Sequence, residues 1–473
     1  MRRSLRLFCL GFLAGVLIGN ATQTNVLLIC VDDLRPELNC YGRSYIHSPN
    51  IDRLASEGHL FVNHYVNAPS CGPSRYTLLT GRYGVAKNSA LFERARRIED
   101  GLDSVYPSLP EIFRSNGYTT VSVGKVSHHP GGRGGPDWDS AEPIEMPGAW
   151  DRHLMPSGEW QHPRGAMHGL AFGEIRENAS EMAVFQAVDG SDTIYPDGLI
   201  TEEALRQLDL LIADKTSPFF LAVGMIRPHL PFGAPQEYLD LYADVSMPEV
   251  SHPKRPKGKT TWHKSGEFYK YHRWDKDPNK DEAFSEEVRR HYAACVSYAD
   301  AQIGKILDRL EATGEDENTI VIVWGDHGWH LGEHAIWGKH SLFEESLHSP
   351  LIVKYPGMDR VGGRTDAIVS TVDIFPTLLD LVGLTLPDFL QGDSLVPHLE
   401  NGSDKEGSAF GYSRWAETIR TRTHRLTVHD SGFVELYDHT SPERETKNVS
   451  KDFPEVVSQL KELLAERSET VER

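Results

Sequence analysis

The sequence predicts an α/β fold: a large mixed, mostly parallel sheet sandwiched by helices, followed by a smaller C-terminal α+β subdomain. Three observations predict it. Short apolar runs recur along the chain, helical patterns fall between them, and after about Leu384 the rhythm changes to short, closely spaced strand patterns. Short continuous apolar runs read as strands buried on both faces, and strands alternating with helices imply a parallel sheet.

Taken in order, Asn25–Val31 (NVLLICV) opens the sheet, and 119–126, Phe219–Met225, 319–324 and Leu351–Lys354 read the same way. Helices are expected over 50–57, 74–80, 108–115, 198–214 and 285–312. Two stretches, 128–197 and 244–281, are rich in Pro, Gly, His, Trp and Lys and read as long surface loops, which in a compact protein are often functional. Short antiparallel strands are expected over 409–415, 417–428 and 433–438, and a last amphipathic helix over 454–467.

The N-terminus carries Arg2, Arg3 and Arg6, then an apolar run from Leu7 to Ile18, then the small residues Gly19 and Ala21. That is a signal-peptide pattern, too short for a membrane span, and it predicts an exported protein, periplasmic or secreted, with no stable membrane span after leader cleavage. The net charge of −19 argues against a nucleic-acid partner, which needs a basic face. It still permits an anionic substrate, because a local basic cluster dominates within a Debye length of about 10 Å.

Of five cysteines, Cys9 lies in the leader and Cys30 in an apolar run; Cys40 and Cys295 are open to pairing with each other or with nothing. Four mature cysteines do not make a disulfide framework. Cys71 stands apart because of its neighbours.

Asp32 and Asp33 directly follow the first strand, and Asp326 and His327 directly follow another. Ligands in open α/β sheets sit at the carboxyl ends of strands. Adjacent carboxylates repel unless a cation neutralises them, and a hard divalent ion bound by oxygens is the natural partner. The alternative for each Asp is a turn or cap at a strand end. The third element is Ser70-Cys71-Gly72-Pro73-Ser74-Arg75, continuing to Leu78-Leu79-Thr80-Gly81-Arg82. Pro73 and Ser74 fit a helix start, which places Cys71 at the positive end of a helix dipole, where a thiolate nucleophile is plausible.

CGPSR followed by LLTGR resembles the modification site of the type I, formylglycine-dependent sulfatases of the alkaline phosphatase superfamily. The resemblance runs over nearly the whole mature chain. VDDLRPELNCYG, RPHLPF and GWHLGEH are most similar to the iduronate-2-sulfatase-like branch. It implies an alkaline phosphatase-like fold, a signal peptide over 1–21, a catalytic domain over 22–384 and a C-terminal subdomain over 385–473. It further implies a sulfuric ester hydrolase acting on a sulfated carbohydrate, a sugar of a polysaccharide or oligosaccharide. The nucleophile would be a formylglycine hydrate made from Cys71 by a separate formylglycine-generating enzyme, working through a covalent sulfo-enzyme intermediate.

By the same resemblance one Ca2+ would be held by Asp32, Asp33, residue 71, Asp326 and His327. Arg75 would orient the hydrate. Lys125, His128, His229 and Lys339 would bind sulfate oxygens or move protons, His229 as acid and His128 as base. Two departures stand out. Many sulfatases have an amide where His327 stands, and imidazole is softer than calcium prefers. Many also have Lys-x-His where Ser127 now occupies the histidine position, so His128 is favoured over the adjacent His129. The rival readings are a phosphodiesterase or phosphonate monoester hydrolase on the same fold, and a catalytically silent sulfated-glycan binder should Cys71 stay unmodified. Trp138, Trp160, Trp262, Trp274, Trp337 and Trp415 are candidates for stacking on sugar faces, with packing in the core or in a loop the favoured alternative for each; Arg414 is a candidate for meeting a carboxylate or second sulfate, with a structural ion pair as the alternative.

Overall fold

A computed structural model describes residues 23–102, 105–402 and 406–470. The expected leader, Cys9 included, lies outside them. Eight strands form the main sheet, with helices on both faces. In chain order they are β1 (Asn25–Val31), β2 (His59–Tyr65), β3 (Thr119–Gly124), β4 (Arg152–Leu154), β5 (Phe219–Met225), β6 (Thr319–Gly325), β7 (Leu351–Lys354) and β8 (Gly363–Ser370). The spatial order is β8-β2-β7-β6-β1-β5-β3-β4. Only β7 runs antiparallel to its neighbours. The sheet is therefore mixed and mostly parallel, as expected.

β1 shows why its sequence is apolar throughout. Leu27, Ile29 and Val31 face one core with Leu208 of helix α4 (Pro196–Ala213) and Val296 and Ile303 of helix α5 (Glu282–Ala312). Val26, Leu28 and Cys30 face the other core, with Leu78 and Leu79 of α2 (Cys71–Thr80), Phe113 of α3 (Leu109–Ser115) and Phe375 of α6 (Ile374–Leu381). A strand covered on both sides has no polar-out positions, so the period-two signal disappears. Helix α1 (Pro49–Glu57) follows β1 after one turn of 3₁₀ helix.

Strands β2, β4 and β8 were not expected, and β4 lies inside the stretch 128–197 read as a loop. β2 carries His59, Asn63 and His64, and β8 begins Gly-Arg-Thr-Asp, so neither is an apolar run. Helix α2 begins at Cys71, not at Ser74, which leaves Pro73 at the third helical position. That is tolerated because first-turn N–H groups have no intrahelical partner. The loop stretches 128–197 and 244–281 are not merely surface coil. Trp160 is buried and donates its indole N–H to Leu170 O at 2.7 Å, and Trp337 is also buried, so neither can stack on a sugar.

The C-terminal sheet is four antiparallel strands in sequence order: β9 (Ala409–Tyr412), β10 (Ala416–Arg420), β11 (His424–His429) and β12 (Val434–Asp438). The single run expected over 417–428 is divided by a turn after Arg420. Helix α7 (Pro454–Ser468) packs Leu460 and Leu464 against Phe410, Ile419, Leu426 and Leu436. Cys30, Cys40, Cys71 and Cys295 are all free thiols, so Cys40 and Cys295 do not pair. Among the described residues no helix is long and apolar enough to cross a membrane.

An ion-pair network docks this sheet onto the larger part. Glu344 accepts from Arg425 at 2.6 Å and Arg420 at 3.2 Å, and its backbone N–H donates to Glu445 at 2.6 Å. Glu445 in turn pairs with Arg425 at 2.5 Å and His439 at 3.0 Å. Burial alone would raise the Glu445 carboxyl, but Arg425 and His439 outweigh it and bring it down to about 2. A depressed carboxyl contributes stability above its unfolded value near 4.5 and loses it as pH falls through the folded value. Glu445→Gln should therefore cost about 3 kcal/mol at pH 7 in denaturant titrations, and the gap to the parent should close as pH falls from 5 towards about 2.

Candidate active site

Four adjacent strands end at one place. β1 and β6 pair in parallel with Val31 opposite Gly325, so Asp32-Asp33 and Asp326-His327 leave the sheet side by side. β5, on the other side of β1, leads into Arg227-Pro228-His229, and β3, beyond it, leads into Lys125 and His128. Helix α2 adds Cys71 and Arg75, and the segment after β6 adds Lys339. Asp32, Asp33, Arg75, Lys125, Asp326 and His327 are fully buried, and Cys71, His229 and Lys339 nearly so. The structure gathers the expected metal and catalytic candidates Asp32, Asp33, Cys71, Arg75, Lys125, His229, Asp326, His327 and Lys339 into one buried cluster, with half-buried His128 beside it; it does not bring Trp160 or Trp337 to a surface.

Two glycine contacts allow this packing. A Cβ on Gly224 would lie 2.0 Å from the Lys125 backbone, and one on Gly72 would lie 2.2 Å from Asn88 Cα. Asn88 Oδ1 also accepts from the Gly72 N–H at 3.1 Å and from Ser70 Oγ at 2.9 Å, fixing the first turn of α2.

Arg75 pins the centre. Its guanidinium donates to Asp326 Oδ2 at 3.0 Å, Asp32 Oδ1 at 3.2 Å and Val126 O at 3.0 Å, and to Lys125 O. Lys125 pairs with Asp32 and lies 3.6 Å from Cys71 Sγ. Lys339 Nζ lies 2.7 Å from Asp33 Oδ1 and 3.4 Å from Cys71 Sγ. Asp33 has a positive φ of 58°, which Asp tolerates, and its N–H donates to Asp326 Oδ1 at 2.9 Å.

The titration of these groups follows from burial and charge. Burial pushes Asp32 up, but Lys125, His229 and Arg75 overcome it and hold the carboxyl below its usual range. Asp33 is raised by burial and by the carboxylates around it, against Lys339 alone. Asp326 is raised to about 7, by burial first and then by Asp32. Asp33 and Asp326 thus resist ionising beside the ionised Asp32, a repulsion that a bound cation relieves. Burial and Asp32 push the Cys71 thiol up more than Lys125 and Lys339 draw it down. The thiolate that a helix N-terminus would favour is thus disfavoured here.

The donor set fits a divalent ion. Ligand atoms of Asp32, Cys71, Asp326 and His327 lie within 4.8 Å of one another, and so do those of Asp32, Asp33, Cys71 and His229. The two groups share Asp32 and Cys71, so they are one site and not the paired centres of a two-metal enzyme. Asp33 Oδ2 is buried without a hydrogen-bond partner. With Nδ1 of His327 3.0 Å from Gly328 O, that nitrogen carries the proton and Nε2 presents its lone pair, 3.3 Å from both Cys71 Sγ and Asp33 Oδ1.

The histidine pair divides. His129 lies 3.3 Å from Glu145 through Nδ1, donates its backbone N–H to the same carboxylate and packs edge-on against Phe92 and Trp138. His128 keeps a buried Nδ1 without a partner. Burial, then the charges of Lys125 and His129, hold its imidazole neutral. His229 donates Nδ1 to Leu230 O at 2.6 Å, so Nε2 faces Asp33 at 4.0 Å and Glu267 at 3.6 Å. Burial and Lys339 hold it neutral too.

Sequence reading missed Glu267 and Asp197. Glu267 reaches His229, Lys339 at 3.8 Å and His340 at 3.6 Å from a loop that carries no motif. Asp197 accepts from the backbone of Ile226 at 2.7 Å and Arg227 at 3.1 Å and so sets the His229 segment; its only signal was the Pro-Asp-Gly start of α4. Arg227 is buried and bonded to backbone carbonyls of Gly233 and Gly169, a structural role.

A Sulfatase family model matches residues 24–384, and a model for the C-terminal part of N-sulphoglucosamine sulphohydrolase matches 332–470. Mouse iduronate 2-sulfatase is 32% identical over 461 residues, covering 86% of this chain and 80% of the relative. A solved complex with the substrate D-glucosamine-2-N,6-O-disulfate superposes with a TM-score of 0.72 at 24% identity, over 95% of this chain and 98% of that one. Phosphonate monoester hydrolase of Agrobacterium radiobacter superposes at 0.74 with 22% identity, over 94% and 95%. These two likenesses show the fold.

Gly224→Ala should displace the Lys125 backbone. The expected result is a thermal-denaturation loss of about 1–3 kcal/mol, the usual cost of overpacking, together with loss of activity on any substrate.

Proposed function

The chain belongs to the sulfatase family, and from that premise we propose that residue 71 acts as a formylglycine, oxidised from cysteine, beside one Ca2+. The substrate is a sulfate ester on a sugar of a sulfated polysaccharide or oligosaccharide. The observation that carries this reading is the convergence of Asp32, Asp33, Asp326, His327, Arg75, Lys125, His229 and Lys339 on Cys71. Residues 22–384 are assigned to catalysis and 385–473 to a supporting subdomain. Export, and maturation by a formylglycine-generating enzyme, belong to the same proposal, supported by the leader pattern and by CGPSR.

Asp32, Asp33, Asp326 and His327 would hold the ion with residue 71. An oxygen on residue 71 in place of sulfur makes the set harder and better matched to calcium. When bound, the ion withdraws charge from a sulfate oxygen and steadies the oxygen of residue 71. A formylglycine hydrate offers two hydroxyls on one carbon, one to attack sulfur and one to release the product.

The chain's own side chains do the rest. Lys125 and Lys339 stand 3.6 and 3.4 Å from the Cys71 sulfur, close enough to meet oxygens of a sulfate seated there. Arg75 fixes the carboxylates and thereby the direction of residue 71. His229, neutral at rest, gains a proton most readily when an anionic group enters beside it, and its Nε2 then protonates the leaving alcohol. His128, neutral with a free Nδ1, takes the proton that frees the product.

Mature protein coexpressed with a formylglycine-generating enzyme should carry the aldehyde at 71 by peptide mass, release sulfate from sulfated sugars, and lose that activity to a calcium chelator. A thiol at 71 in an active preparation, or turnover of phosphonate esters without any of sulfate esters, would overturn the reading. His229→Ala should lower kcat by about 10²–10⁴-fold on sugar sulfates. On an aryl sulfate, whose leaving group needs no proton, the loss should be far smaller.

A further inference from the structure

A second recognition element adjoins this centre. A cavity of about 450 Å³ begins at Ser70 and Pro73, beside Cys71, and at His340, beside Lys339. Its far wall is the turn between β9 and β10, carrying Arg414 and Trp415, and Trp262 forms another side. Its size is that of a small-molecule site.

The charge of its walls is opposite to that of the protein. The chain carries −19 overall, yet no Asp or Glu lines the cavity and Arg414 is its permanently charged lining residue; Glu267 and Glu435 stand behind the lining His340 and His429. The segment that supplies Trp262, residues 251–266, holds five Lys or Arg residues and no acidic one. Arg414 is exposed, and among the described residues no carboxylate pairs with it. Its guanidinium lies 5.6 Å from the centre of the Trp415 ring, which is 66% exposed. That ring is held at the rim by its backbone: Trp415 O accepts from Asp430 N at 3.0 Å, and Ser413 N donates to Ala416 O at 2.8 Å. Trp262 is fixed more firmly, by an N–H bond to His334 O at 2.9 Å and by the Arg255 guanidinium 3.8 Å over its ring.

An exposed indole and an unpaired guanidinium at one rim offer an apolar face and a charged fork. The first suits the C–H face of a pyranose, and the second suits a carboxylate or sulfate. A neutral glycan would leave the guanidinium without a partner. An acidic glycan meets a local field that its own charge favours and that the overall field does not.

We propose that Arg414 and Trp415 form a specificity subsite for a second oxyanion, a carboxylate or another sulfate, on the sugar that carries the scissile ester or on the one next to it. This rests on the sulfatase reading above. It excludes neutral glycans bearing a single sulfate as preferred substrates.

The test compares three sulfated disaccharides, matched except that one bears a uronate carboxylate, one a second sulfate and one no further anion, with nitrophenyl sulfate as a non-sugar control. The parent should prefer at least one dianionic sugar by about tenfold or more in kcat/KM, and the preference should shrink with added salt. Arg414→Ala should lower kcat/KM on that sugar by about 10–100-fold, mainly through KM, and leave the singly charged sugar and nitrophenyl sulfate within about twofold. The arm with the larger loss identifies the oxyanion. Trp415→Ala should weaken all three sugars and spare nitrophenyl sulfate. Equal losses on every substrate, or no preference in the parent, would overturn the subsite while sulfate release upheld the catalytic reading. Calorimetric binding of the same sugars to Cys71→Ser covers the opposite case. Anionic sugars that bind, and lose affinity with Arg414→Ala, uphold the subsite even if no sulfate ester turns over. No difference in binding between charged and uncharged arms sinks it.

Discussion

Arg75 is the interaction on which the site depends. One fully buried guanidinium reaches Asp32 after β1, Asp326 after β6 and the backbone of Lys125 and Val126 after β3, while its own backbone lies in α2, four residues from Cys71. Four separate elements are thus tied to a single planar group. A buried charge that lost these partners would cost about 3–5 kcal/mol, so the ends of the strands and the start of the helix hold together or fail together. Arginine suits the position because its donors lie in a rigid fork and it stays charged under burial.

That pin also explains why the core beneath it is so uniformly apolar. Burying three carboxylates, two lysines and an arginine at one sheet edge is tolerable only where water is excluded and every partner is fixed. The two cores on either face of β1 supply that rigidity, and Gly224 lets β5 and the Lys125 segment approach closely enough to complete the ring of contacts.

Much of this was legible in the sequence, and the failures have physical causes. Doubly covered strands announce themselves as apolar runs, so β1, β5 and β7 were read to the residue. β2 and β8 escaped because polar side chains interrupt their apolar runs; in β2, His64 finds hydrogen-bond partners in Ser349 and Thr371 while the buried His59 ring has none among the described residues. The proposed site residues were readable because each sits immediately beyond a strand or inside a recognisable segment. Glu267 was not, because it arrives from an irregular loop whose path no periodicity encodes, and its role lies only in what it faces. Trp160 and Trp337 take the packing alternative over sugar stacking: each lies among polar neighbours in sequence, and folding has used it as core.

The charges of the centre bear on how it meets an anion. Asp32, Asp33 and Asp326 face Arg75, Lys125 and Lys339, and each cation contacts at least one of those carboxylates. Both lysines are therefore already engaged. On the reading proposed above, a divalent ion held by Asp32 and Asp33 would compete with the lysines for those carboxylates and leave Lys125 and Lys339 available to a sulfate. The acidity of the whole molecule would then be no obstacle to an anionic substrate, because the site's own cations, and not the mean field, would meet it.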